Sequence, residues 1–176
     1  AWTSGFLKFS DRRYGITSSP EIEGKVQFTC SAVGWGKVER QHQGLHQLGN
    51  QVVLSYTVDA VAILERPSAV QDGEVVAFVR EFHVAPHDEP LSLSLIERPG
   101  KRTILDQDRS ARYVKDGRAL SVAVADAPES VVLQHNLDSV TLRILPSAKP
   151  ARFELWMSAC PEEKTASVEK LMNKRQ

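Results

Sequence analysis

Five histidines and two cysteines are the side chains of this 176-residue chain best suited to metal or nucleophilic chemistry, and their spacing limits what they can do. His42 and His46 flank Gly44, with Trp35 a few residues earlier. In an extended segment, residues four apart point the same way about 13 Å from each other, so only a turn at Gly44 would make the two histidines joint ligands. His83 and His87 bracket Ala85-Pro86 beside Asp88 and Glu89, donors that suit a divalent cation but read better as a polar loop between strands. His83 with Glu81 is the combination a hydrolase or lyase built on a sheet face would use, and alternation along a strand is expected to keep such neighbours from cooperating directly. Asp106, Asp108 and Arg109 lack the glycine and closing glutamate of a calcium loop. No GxSxG, HExxH, P-loop or GxGxxG occurs, and Gly34-Trp35-Gly36 opens no helix that would cradle a phosphate. Trp2, Trp35 and Tyr14 stand in the least strand-like contexts, where an exposed ring can stack on a sugar or fill a crossing between loops. The candidate ligand-binding residues are therefore Trp35, Tyr14, His42 and His46; no catalytic residue, metal site or cofactor is assigned.

The two cysteines, Cys30 and Cys160, are too few for a disulfide scaffold and too far apart for a CxxC redox motif. Each reads as a small apolar residue, with a bridge between them as the alternative in an oxidising compartment. No CxxCH is present, so the chain carries no covalent c-type haem. Lysine plus arginine balance aspartate plus glutamate at 22 each, which removes the broad positive field that nucleic acid or an anionic membrane would require. The longest apolar runs, such as VVAFV, fall far short of the ~20 residues that cross a bilayer. Neither nucleic-acid binding nor membrane insertion is expected.

The elements that must position these residues are strands. Val52, Leu54, Tyr56 and Val58 share one parity, Val53, Ser55 and Thr57 the other, and after an Asp59-Ala60 corner the pattern resumes through Val61 and Ile63. Pro67 cannot donate to a ladder and is expected to end that strand, with PSAVQDG as the following turn. Residues 31–44 read as a loop feeding a strand that begins near Leu45, and 11–20 as a loop after an opening strand. Glu74 to Val84 places Val76, Phe78, Arg80 and Phe82 against Val75, Ala77, Val79, Glu81 and His83. Leu91, Leu93 and Leu95 should face inward with Ser92 and Ser94 outward. Asp116-Gly117 is a two-residue hairpin signal, and Phe153, Leu155 and Met157 oppose Trp156. About twelve short strands at even spacing, with no helical crossover between them, imply an all-β, antiparallel β-sandwich, jelly-roll-like, over residues 1–160. Residues 161–176 are acidic early and basic late, which favours a short helix from about Pro161 with Val168, Leu171 and Met172 as a thin apolar stripe, a docking tail or a linker.

Trp2 with Gly5-Phe6-Leu7, the PEIEGKVQF run from Pro20 to Phe28, Gly44-Leu45, Gly49, VVLSYTV from Val52 to Val58 and ILERP from Ile63 to Pro67 together resemble an uncharacterised β-rich domain. That domain occurs in large exported proteins of Planctomycetes and Verrucomicrobia, ahead of sorbosone-dehydrogenase-like propeller and c-type cytochrome modules. The resemblance covers roughly the first half of the chain and departs from the family at His46, Leu48 and Asp59, where an aromatic, a histidine and a glycine are usual. It implies an exported accessory domain with neighbouring propeller or cytochrome domains as partners, in proteins acting on carbohydrate or sugar-derived compounds. It brings no catalytic residues. The expected function is a non-catalytic module for ligand binding, carbohydrate being the class, or for domain assembly; a sandwich-fold hydrolase or lyase and a structural subunit of a larger assembly are the rivals.

Overall fold

The computed structural model describes residues 9–11, 15–16, 28–30, 40–97, 101–106, 109–135 and 139–173. Strand β1 (Phe9–Asp11) lies at the end of the expected opening strand, and β2 (Gly15–Ile16) pairs with it from within the stretch 11–20 expected to be loop. They are followed by β3 (Phe28–Cys30), β4 (Arg40–Leu48), β5 (Gln51–Val58), β6 (Val61–Asp72), β7 (Val75–Val84) and β8 (Leu91–Glu97). The second half contributes β9 (Lys101–Asp106), β10 (Ser110–Lys115), β11 (Arg118–Ala125), β12 (Val131–His135), β13 (Ser139–Ile144) and β14 (Ala151–Pro161). A single 3-10 turn, Glu162–Lys164, leads into helix α1 (Thr165–Asn173). An eight-stranded sheet, β4-β5-β6-β7-β14-β11-β10-β9, faces a four-stranded sheet, β12-β13-β8-β3, and every pairing is antiparallel. This is the all-β sandwich that the alternation implied.

The sandwich holds together because alternate residues of both sheets meet. Val58, Ile63, Phe82, Val84, Phe153 and Leu155 from the large sheet pack on Leu91, Leu93, Leu133, Leu142 and Ile144 from the small one, all buried. Phe82 and Phe153 stack with ring centroids 5.1 Å apart. Leu91 and Leu93 point inward as expected, and Leu95 packs against the same core. Two chain segments cross between the sheets side by side: β7 to β8 through Pro86-His87, and β13 to β14 through Pro146-Ser147. His87 and Ser147 exchange both backbone hydrogen bonds, at 3.0 and 2.9 Å. The mutual pairing lets four strands roll over together without leaving amides unpaired at the corner.

A second core lies on the outer face of the large sheet. Val168 and Leu171 of α1 are buried against Val75, Ala77, Val79, Ala119, Ala123, Trp156 and Cys160. The segment expected to be a tail or linker is thus docked, and ion pairs from Arg112 to Glu169 and from Lys164 to Glu74 hold it. Cys160 is a free thiol in this outer core, which burial pushes above its ordinary pKa. Cys30 sits on a strand of the other sheet, so the alternative of a bridge does not hold. The two cores are diagonal across the large sheet. Along β7, Val75, Ala77 and Val79 are buried outward under the helix, whereas Phe82 and Val84 are buried inward under the small sheet. Where each face loses its cover, side chains emerge: Phe78 on the inner face is 60% exposed.

Three local readings are corrected. Strand β6 does not stop at Pro67 but runs to Asp72, with Pro67 opposite Arg80. The Ala85 amide donates to the Ala62 carbonyl, so even-numbered residues of β6 direct their backbone groups to β7, and Pro67 turns its nitrogen the other way. On that side the last register pair with β5 is Leu54 with Glu65, so no ladder bond is lost. The turn then tightens to Gly73-Glu74, with Gly73 at φ 60. The third correction is β4, which starts at Arg40 and so puts His42 on a strand rather than in a loop. The Asp116-Gly117 turn forms as expected, with φ of 51 and 70.

Candidate functional site

Of the four ligand-binding candidates, Trp35 and Tyr14 lie outside the described residues, as does Trp2. His42 and His46 are exposed on β4 but do not converge. The pairs His42–Tyr56 and Gly44–Ser55 leave Gln43 as an extra residue, a β-bulge. Beyond it the parity inverts: His42 shares the inner face with Tyr56, and His46 shares the outer face with Val53. The assumption that residues four apart would point the same way failed because one inserted residue exchanges faces. His87 is buried at the sheet corner, its Nδ1 2.9 Å from the Ala85 carbonyl oxygen, and so does not form a solvated loop site with His83. Among the described residues no group of three His, Cys, Asp or Glu side chains could hold a metal ion. No described helix is long and apolar enough to cross a membrane.

The structure instead gathers a site on the outer face of β5, β6, β7 and β14, just beyond the reach of α1. Leu64 pairs with His83 and Arg66 with Glu81 across β6–β7, while His83 pairs with Arg152 and Glu81 with Glu154 across β7–β14. Register therefore delivers all of these side chains to one surface. They surround an open hollow of about 380 Å³ lined by Gln51, Val53, Leu64, Arg66, Glu81, His83 and Arg152. A second hollow of about 380 Å³ adjoins it across Arg152, bordered by Glu81, Asp126 and Glu154. The expectation that Glu81 and His83 would be separated is overturned. They are two apart, not one, so a period of two places both on the same face.

The hollow is organised by one carboxylate and two guanidiniums. Arg152 donates from Nε and Nη2 to Glu81 Oε1, at 3.1 and 2.6 Å. Arg66 takes the other oxygen through Nη2 and donates from Nη1 to Gln51 Oε1 at 3.1 Å. Partial burial alone would raise the Glu81 carboxyl, but the hydrogen bonds from Arg152 and Arg66 outweigh it and hold the group below the ordinary glutamate value. Glu154 directly opposite is a like charge, which is costly across a ladder; Trp156 Nε1 donates to its Oε2 at 2.8 Å, an added compensation. Within this hollow two guanidiniums thus meet one carboxylate, with Glu154 as a further acid across the ladder. Leu64, 41% exposed, and Val53 supply an apolar wall beside these planar groups.

Sequence reasoning did not single out Arg66 or Arg152. A signal was available: along the outer face, β7 changes from Val75, Ala77 and Val79 to Glu81 and His83, and β14 changes in the matching direction, from Cys160 and Trp156 to Glu154 and Arg152. A face that is apolar at one end and charged at the other, in two paired strands, marks where cover stops.

Comparison with known proteins gives little beyond this geometry. Residues 1–65 match the family model of a domain of unknown function, DUF6797, so the match takes in β4, β5 and the beginning of β6. The rest of the hollow, from Arg66 onward, lies outside it. No curated protein matches the chain, and no solved structure does.

Proposed function

We propose that the chain is a non-catalytic accessory module that binds carbohydrate in the hollow on the outer face of β5–β6–β7–β14. The observation that carries this reading is the combination of fixed planar hydrogen-bonding groups, Arg66, Glu81 and Arg152, with an apolar wall at Leu64 and Val53. A sugar ring offers the same pairing, hydroxyls around its rim and C–H groups on its face, and a cavity of this size is at the small end of ligand sites. The resemblance of the N-terminal part supports this reading, since it implies an exported protein in which neighbouring propeller or cytochrome modules would do the redox chemistry. Affinity electrophoresis and a glycan array on the chain test the reading. Retention by at least one saccharide class is expected, and no retention by any would overturn it.

A second reading has one specific observation in its favour, the Glu81–Glu154 pair facing each other across β7–β14. A hydrolase or lyase would use one of them to donate a proton, and Glu81, held ionised by two arginines, is poorly suited to that role. Turnover of aryl glycosides that is abolished in Glu154→Gln would favour the enzyme; its absence leaves the binding module.

A further inference from the structure

We infer that the hollow selects acidic saccharides, taking the carboxylate of a uronic acid residue on Arg152 and Arg66; this rests on the carbohydrate reading above. On the opposite face of the same strands Glu65 takes a single guanidinium among the described residues, that of Arg80, at 2.7 Å from Nε. On the outer face two guanidiniums converge on Glu81, and Arg152, the more exposed of the two, keeps its outer edge in solvent.

Glu81 is 17% exposed and sits beneath the arginines, whereas Arg152 is 74% exposed above it. Arg152 spends Nε and one hydrogen of Nη2 on Glu81, and Arg66 spends Nη1 on Gln51 and Nη2 on Glu81. The outer N–H groups of Arg152 and the Nε of Arg66 remain to donate to an incoming acid, which replaces water at groups already held in place. The apolar wall fixes where the ring lies, and His83 is exposed at the edge for a hydroxyl.

The surrounding acids set the charge of the ligand. Glu154 and Asp126 border the adjoining hollow, so the field is positive only locally, and the chain as a whole is balanced at 22 cationic and 22 acidic residues. A singly charged, planar carboxylate fits such a site. A doubly charged phosphate or a polyanion would meet repulsion from those carboxylates.

Calorimetric titration with a neutral tetrasaccharide carrying a single uronic acid residue, and with its carboxyl-reduced, fully neutral counterpart, tests the assignment. The acidic oligomer is expected to bind about tenfold or more tightly than the neutral one, the equivalent of one charge-assisted contact, and to weaken with added salt. Arg152→Ala is expected to lose that margin while unfolding at the wild-type midpoint, and Arg152→Lys to recover only part of it because the planar fork is gone. Equal binding of the two oligomers, or binding of the same tetrasaccharide with one sulfate ester in place of the carboxylate as tight as that of the uronate, would overturn the carboxylate assignment and leave the carbohydrate reading standing. Binding of no saccharide would overturn both.

Discussion

Strands β6 and β7 carry two ion clusters back to back, and the contrast between them shows how cover decides what a charge can do. On the inner face Glu65 accepts from Arg80 Nε and Nη2 at 2.7 and 3.0 Å and from the Tyr56 hydroxyl at 2.7 Å, and Arg80 lies 4.9 Å over the Phe82 ring. Glu65 is 6% exposed. Among the described residues Glu65 meets a single guanidinium, and a phenol satisfies a further lone pair. On the outer face Glu81 is shared by Arg66 and Arg152, and Arg152 stands largely in water. Buried ions tolerate no imbalance, because an unpaired charge in a poorly hydrated site costs several kcal/mol. The diagonal placement of the small sheet and α1 thus separates a cluster restricted to structure from one free to recognise a ligand.

Truncation on the covered side should produce the largest effect. Arg80→Ala leaves Glu65 buried without its cation and is expected to cost about 3–5 kcal/mol in urea unfolding, a magnitude typical of a broken buried pair. Replacing both partners, Glu65→Leu with Arg80→Met, should recover most of that loss; a single variant costing less than about 1 kcal/mol would show that the inner cluster is no more structural than a surface pair. Next in size is Tyr56→Phe. Burial, and then the Glu65 carboxylate to which it donates, push the Tyr56 hydroxyl well above the ordinary phenol pKa, so this O–H stays protonated and bonded at any workable pH. Its removal should cost about 1–2 kcal/mol by the same measurement and leave saccharide binding on the other face unchanged.

The outer cluster should differ in its response to acid. The Glu81 carboxyl has a folded pKa below its ordinary value of 4.5, so its stabilising contribution is complete above that value and is lost as pH falls through the folded one. Glu81→Gln is therefore expected to be less stable than wild type by about 1 kcal/mol near neutrality, with the gap closing below pH 4.5. Urea midpoints of the two proteins across pH 3 to 7 follow this directly, and a gap that stayed constant would mean that the carboxylate's charge contributes nothing.

Alternation made the scaffold legible. Leu91, Leu93, Phe153 and Leu155 meet in the core because a period of two leaves no other arrangement, and the Asp116-Gly117 pair fixes its turn through the left-handed backbone it tolerates. The site was not legible in the same way. Its arginines come from positions 66 and 152, brought together only by the order β6-β7-β14, and strand order between distant segments leaves no local trace. The His42–His46 expectation failed for a related reason. A bulge at Gln43 is a pairing event between β4 and β5 rather than a property of either sequence, and it inverts every face assignment beyond it. Pro67 misled in the opposite direction, since an edge position depends on where β5 stops.

The smallest expected change sharpens the comparison most. Arg152→Ala removes the same side chain type as Arg80→Ala, from a strand hydrogen-bonded to the same β7, and its partner Glu81 keeps Arg66. With Arg152 74% exposed, solvent screens the lost pair and the stability cost should fall below about 0.5 kcal/mol. The midpoint of urea unfolding would then stay within error of wild type while affinity for an acidic saccharide drops. A loss comparable to that of Arg80→Ala would instead mean that Arg152 braces β14 against β7 by relieving the Glu81–Glu154 repulsion, making the outer cluster as structural as the inner one.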